Sequence, residues 1–212
     1  MNNLIDDLKS FEAIIQNLKS ENISNINLSK TILFIVDMNN GFAKSGALYS
    51  PRVENLINPI TNFANFIGDN NCPIIAFTDS HTPDSIEFKN YPKHCLIDDI
   101  ESDIIDELKS INGLTIVPKN STNGFFALEN FDYSSFENII IVGDCTDICI
   151  YQFATTLKAY FNHLNIDKNI IVPVDLVDTY DIPNIHSANL MNLVFLNSMI
   201  QNGINVVKTI DY

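Results

Sequence analysis

Basic residues are scarce: 12 Lys and Arg stand against 26 Asp and Glu in 212 residues, a formal charge of -14. A surface of that sign repels phosphate backbones and anionic lipid, which sets nucleic acid and membrane partners aside. No apolar run approaches the roughly 20 residues of a membrane span. Four scattered cysteines cannot staple a chain of this length as a disulfide framework. The opening Met-Asn-Asn, followed by charged residues, does not read as a basic and apolar leader, so a reduced, cytoplasmic setting is expected. Tryptophan is absent and glycine numbers seven, beside abundant Asn and Ile; this reflects base composition and carries no functional weight.

What remains, 46% hydrophobic residues, is enough to bury one full core. Residues 1–28 carry Leu4, Leu8, Phe11, Ile14, Ile15 and Leu18 at helical spacing, predicting a helical extension laid on a main domain of residues 29–212. Short β-branched runs follow at 31–37, 73–79, 114–119, 139–144, 170–175 and 204–210, each apolar at consecutive positions as strands covered on both faces are. Helical periodicity lies between them: Val53 to Ile67, Ile100 to Leu108, Ile150 to Phe161, and Leu190 to Met199. Such alternation predicts an α/β fold, a three-layer α/β/α arrangement around a mostly parallel six-stranded sheet. Residues 80–99 and 120–137 are irregular and rich in aromatics, His and Gly, the mark of functional loops.

Five of the runs end in a charge: Asp37, Asp79, Lys119, Asp144 and Asp175. In an open parallel sheet these ends share one rim, where ligands bind. The segment Gly143-Asp144-Cys145-Thr146-Asp147-Ile148-Cys149 passes from strand to helix. With Thr146 as N-cap, Cys149 falls in the first turn, where the helix dipole favours a thiolate. Asp37 is placed to take the thiol proton. A Lys119 ammonium about 4 Å away would favour the thiolate by on the order of 4 kcal/mol at an effective dielectric near 20, about three pKa units. Cys145 and Cys149, four apart, match no common Cys-x-x-Cys metal or redox pair. In the irregular loop, Asp79 and His81 could grip a cation that His94 and an acidic residue complete, a donor set suited to zinc, iron or manganese rather than calcium. His163 and His186 read as helix-surface residues, Cys72 and Cys95 as packing.

Asp37-Met38-Asn39-Asn40-Gly41-Phe42, Lys119, and the Gly143 to Cys149 segment, in this order at strand ends, resemble the isochorismatase-like cysteine hydrolases over residues 31–212. The resemblance implies a catalytic Asp37-Lys119-Cys149 triad. It also implies a cis peptide at Asp144-Cys145 and an oxyanion hole from the Cys145 and Cys149 amides. Asp79-Ser80-His81 and Tyr91-Pro92-Lys93-His94-Cys95 are similar to the metal-binding elements of the nicotinamidase branch. That branch implies one divalent ion on Asp79, His81, Glu87 and His94, zinc first, with iron or manganese as alternatives. It further implies pocket walls from Phe42, Tyr91 and Phe126. Ser80 and Tyr91 replace the usual Trp, Asn39 the commoner Gln, and Gly41 a frequent Asp, so the pocket is reshaped. The expectation is a metal-containing cysteine amidohydrolase converting nicotinamide to nicotinate, with a small-molecule amide as its partner and a homo-oligomer left open. Two other readings remain: a hydrolase of the same superfamily acting on a ureido or carbamoyl compound, and a non-catalytic metal-binding or interaction protein.

Overall fold

The structure, a computed structural model, describes residues 2–212. The chain runs through α1 (Asn2–Gln16), β1 (Glu21–Asn22), β2 (Thr31–Val36) and two short helices, α2 (Asn40–Ala43) and α3 (Pro51–Glu54). It continues with α4 (Ile57–Asp69), β3 (Ile74–Asp79), β4 (Leu114–Lys119), β5 (Asn138–Asp144) and α5 (Tyr151–Leu164). The last elements are β6 (Asn169–Pro173), β7 (Val177–Asp178), α6 (Ala188–Gln201), β8 (Asn205–Val207) and β9 (Ile210–Asp211).

The six runs form a parallel sheet in the order β4-β3-β2-β5-β6-β8. A seventh, two-residue strand, β7, takes over beside the end of β5 where β6 has peeled away. Side chains of alternate residues feed two cores, as the period of two in a strand requires. Leu33, Ile35, Ile140 and Val142 meet Ile57, Ile60, Phe63 and Ile67 of α4, while Ile32, Phe34, Ile139 and Ile141 meet Phe153, Leu157 and Phe161 of α5. This is why the runs are apolar at consecutive positions. Phe153 lies edge-on to both Phe34 and Phe77, with ring centroids 5.0 Å away in each case. Such pairs contribute about 0.5–1.5 kcal/mol each beyond burial, and they hold α5, and the turn before it, against the sheet.

Four sequence expectations are corrected. β4 is an edge strand, with Ile116 46% exposed, and not a strand covered on both faces; Pro118, which has no amide to donate, sits comfortably there. The helix expected over Ile100 to Leu108 is a single 3₁₀ turn, Ile100–Ser102. The chain there bonds to the β2 exit instead, with Ile105 N–H donating to Met38 O at 3.0 Å and Asn40 N–H to Asp103 O at 2.9 Å. The periodic residues Ile104, Ile105 and Leu108 are buried as a loop rather than as a helix face. The periodic stretch from Val53 breaks into α3 and α4. Finally, Asp175 leaves the rim: a 3₁₀ turn follows β6, and the exposed Asp175 accepts from Thr209 Oγ1 at 2.7 Å.

α1 turns Leu8, Phe11 and Ile15 inward, and Asn197 Nδ2 of α6 donates to Phe11 O at 3.3 Å. β1 then pairs with β9 in a separate two-stranded sheet. No helix among the described residues is long and apolar enough to cross a membrane.

Candidate active site

Strand order reverses between β2 and β5: the chain moves outward to β3 and β4 on one side and to β6 and β8 on the other. Ligands of open α/β sheets sit at the carboxyl ends beside such a reversal. Here the four remaining charged ends line up on consecutive strands as Lys119, Asp79, Asp37 and Asp144, all buried. β2 stops because Asp37 adopts φ 57, a left-handed conformation that swings the chain out of the sheet. Opposite it, Gly143 has φ 117, and a Cβ there would stand 2.0 Å from Val36 O. Only glycine lets β5 approach β2 this closely.

Lys119 Nζ is the hub. It lies 2.8 Å from Asp37 Oδ2, it pairs with Asp79 Oδ1, and it stands 3.9 Å from Cys149 Sγ. Burial works against the ammonium, but the carboxylates of Asp37 and Asp79 outweigh it and hold the lysine pKa well above its usual value. The two carboxylates diverge. Burial lifts Asp37 to about 7, Lys119 opposing and Asp79 assisting. Asp79 is also penalised by burial, but Lys119, His81 and His94 more than compensate and keep it ionised.

Cys149 belongs to a turn of π-helix, Thr146–Ile150, that precedes α5. The expected cap is absent. Cys145 occupies the cap position, its carbonyl accepting from Ile148 and Ile150 N–H at 3.1 Å each, while the Thr146 hydroxyl is buried without a partner. The thiol differs from the sequence expectation as well: burial raises its pKa, and Asp37 and Asp79 add to the rise against Lys119. The resting sulfur therefore carries its proton. The Asp144-Cys145 peptide is cis.

The loop after β3 doubles back on itself. His81 N–H donates to Cys95 O and Ile97 N–H to His81 O, both at 2.9 Å, which carries His94 to His81 with ring centroids 4.8 Å apart. Asp79, His81, Glu87 and His94 each offer a ligand atom, all within 4.8 Å of one another. Asp79 Oδ2 lies 3.3 Å from His81 Nε2 and 3.5 Å from His94 Nε2. His81 Nδ1 faces Asn120 Oδ1 at 2.9 Å and His94 Nδ1 faces Pro92 O at 2.7 Å. Both acceptors take the Nδ1 proton, so each Nε2, which faces the Asp79 carboxylate, is the nitrogen that would give up its proton to bind an ion, the arrangement of metal-ligating histidines. His81 Nε2 is buried and has no hydrogen-bond partner. Two imidazoles and two carboxylates fit a divalent cation of the zinc, iron or manganese kind.

Above Cys149 opens a cavity of about 520 Å³, walled by Phe42, Leu48, Tyr91, Ile148, Tyr180 and Ile182, with Asp79, Glu87 and His94 on one side and Asp144, Cys145 and Cys149 in its lining. Phe126 is no part of it. Its ring is 68% exposed and packs on Phe125, because the 3₁₀ turn Gly124–Ala127 points it away from the rim. Tyr180 comes to the wall from the irregular segment between β7 and α6, where no local pattern marks it.

Other participants also escaped the sequence. Asn39 is fully buried; its Nδ2 donates to Asp79 O at 3.0 Å and to Ser102 O at 2.9 Å, and its Oδ1 accepts from Asp79 N–H, clamping the end of β3. His186 is not on a helix surface. It precedes α6, its Nε2 lies 2.8 Å from Asp147 Oδ2, its Nδ1 is 2.9 Å from Tyr180 O, and its ring stacks on Tyr180 at 3.9 Å. It thereby ties the Tyr180 wall to the turn that carries Cys149. His163 does stand on the outer face of α5, and Cys72 and Cys95 are buried as packing residues.

Residues 31–211 match the isochorismatase domain family. The chain is 29% identical to nicotinamidase 1 of Arabidopsis thaliana over an alignment that covers 85% of this chain and 86% of that protein. Among solved structures it superimposes on the pyrazinamidase of Pyrococcus horikoshii in complex with zinc, with TM-score 0.67, 20% identity, and 84% and 98% of the two chains covered. N-carbamoylsarcosine amidase of Thermoplasma acidophilum is similar to the same degree, with TM-score 0.67, 23% identity, and 84% and 95% covered. At these identities the structural neighbours speak for the fold. The family match across β2 to β9, joined to that shared architecture, leads to one conclusion: the chain belongs to the isochorismatase family.

Proposed function

We propose that the protein is a metal-containing cysteine amidohydrolase of the nicotinamidase type, releasing ammonia and nicotinate from nicotinamide. The observation that carries the reading is the Lys119 ammonium held 2.8 Å from Asp37 and 3.9 Å from Cys149 Sγ beneath an aromatic cavity. The likeness to a nicotinamidase supports the substrate.

In this reading Asp37 accepts the Cys149 proton as the sulfur attacks the amide carbonyl, and Lys119 holds Asp37 in place while stabilising the forming thiolate. The amides of Cys145 and Cys149 receive the oxyanion. Asp37 returns the proton to the departing ammonia, leaving a thioester; it then takes a proton from the water that releases the carboxylate. Asp79, His81, Glu87 and His94 would hold the divalent ion, which when bound supplies a Lewis-acid contact, direct or through a water, for a ring nitrogen. Phe42 and Tyr91 flank the ring.

Ammonia release from nicotinamide by the purified protein is the deciding assay. Release is expected with metal and is expected to fall at least about tenfold once the metal is stripped, recovering on its return. No release under either condition would overturn the reading. A second outcome concerns pH. Asp37 must be ionised to act, and burial holds it near 7. The value of kcat/KM is therefore expected to drop about tenfold per unit below pH 7. An acid limb two or more units lower would remove Asp37 as the base.

A further inference from the structure

One buried acid has no part in the mechanism above. Asp144 ends β5, is 1% exposed, lines the cavity, and stands directly before Cys145 in the turn that carries Cys149. Its Oδ1 has no hydrogen-bond partner, and Cys145 Sγ is 3.9 Å from its Oδ2. Among the described residues no cation pairs with it. Arg52, from α3, is held instead by the neighbouring acid Asp178, at 3.0 and 2.8 Å from Nε and Nη2. A buried carboxyl with one oxygen unpaired and only a weak thiol donor at the other costs stability, so it calls for a ligand.

We propose that Asp144 is a specificity-determining residue whose carboxyl group hydrogen-bonds the N–H of the substrate's reacting carboxamide, favouring primary amides over carbonyl compounds that lack N–H. The proposal rests on Cys149 being the nucleophile, because the carbonyl bound at Cys149 brings its nitrogen to the residues beside it in the lining. Burial, with Asp37 and Asp79 nearby, raises the Asp144 pKa well above the carboxylate range. The group is thus a neutral acid, an acceptor through C=O and a donor through O–H, and asparagine matches it in shape and in hydrogen bonding. The three carboxyl groups of the rim then divide their tasks by environment: Asp79 stays charged between lysine and metal ligands, Asp37 works near neutrality, and Asp144 recognises.

The test is calorimetric binding to metal-loaded Cys149→Ala protein of nicotinamide and of 3-acetylpyridine, which carries a methyl group where the amide nitrogen stands. Nicotinamide is expected to bind about tenfold tighter, the effect of one hydrogen bond to a buried group. Adding Asp144→Asn should keep that preference, and adding Asp144→Leu should reduce it below about twofold. Asp144→Ala takes the place of Asp144→Leu if the latter fails to fold. An undiminished preference in the Leu or Ala variant, or its loss in the Asn variant too, overturns the proposal. Intact protein that releases no ammonia, while the preference is present and Asp144-dependent, overturns the nicotinamidase reading alone. Binding of neither ligand overturns both.

Discussion

Cys149→Ala is expected to lower the turnover of nicotinamide by at least about 10⁴-fold, in line with the loss of other covalent nucleophiles, while leaving the metal content of the protein unchanged. The expectation has two parts because the geometry separates two functions. Cys149 Sγ belongs to the lysine hub at 3.9 Å, whereas the four candidate ligands are drawn from β3 and its returning loop. Removing the sulfur deletes the attacking atom without touching His81, His94, Glu87 or Asp79. The resting thiol is neutral, so alanine removes no charge from the site, and the variant should fold with no more loss than the small void left by one buried sulfur. Steady-state ammonia release and metal analysis on the same preparation check both halves. A variant retaining a tenth or more of the parent rate would exclude a thioester, and loss of metal together with activity would mean that the two clusters are one structural unit.

The site was legible in the sequence where a residue's role depends on its place at a strand end. Asp37, Asp79 and Asp144 follow apolar runs whose consecutive hydrophobicity reports burial on both faces, Lys119 follows an apolar run on the edge beside them, and the register of the sheet brings the four together without further information. Asp175 shows the limit of that logic. Its run is just as apolar, but β6 yields to β7 before reaching the rim, a change set by pairing to β5 rather than by local pattern. Periodicity failed for Ile104, Ile105 and Leu108 for a similar reason: a loop fastened to Met38 and Asn40 buries the same side chains a helix would.

Phe126 and His186 were misplaced because their positions depend on tertiary contacts. The 3₁₀ turn Gly124–Ala127 packs Phe125 on the core and leaves Phe126 in solvent, with neither ring in the cavity, and nothing in Gly-Phe-Phe-Ala announces that outcome. His186 is drawn to Asp147 across 39 positions, a contact invisible to any short window. Asn39 could have been suspected. A buried amide two residues after Asp37, past an apolar strand, must satisfy several hydrogen bonds, and here it does so by clamping the neighbouring strand. The thiol was misjudged in sign because charge pairs can be guessed from spacing, whereas the desolvation that opposes them depends on how much of the molecule closes over the sulfur.

Lys119→Met is expected to cost more stability than any other single change at the site. The lysine ammonium neutralises two buried carboxyl groups at once, with Asp37 at 2.8 Å and Asp79 in direct contact, and all three side chains are nearly inaccessible. Removing one partner of a buried ion pair costs about 3–5 kcal/mol, which for a chain of this size lowers Tm by roughly 6–20 °C. The loss should depend on pH in a definite direction. In the parent, Asp79 has a depressed folded-state pKa, so its contribution is present above the unfolded carboxylate pKa and fades as pH falls. In the variant the lysine's share of that compensation, the largest, is gone, and only His81 and His94 still face Asp79. Asp37 and Asp79 both titrate upward, the folded state binds protons more tightly than the unfolded chain, and stability falls as pH rises. The difference in Tm between parent and variant is therefore expected to be larger at pH 8 than at pH 5, where protonation relieves the unpaired acids. Calorimetric melting of metal-free protein at both pH values reads this directly, without the masking effect of a bound ion. A difference that stays constant or grows toward pH 5 would mean that the lysine stabilises by packing its methylene stem rather than by its charge.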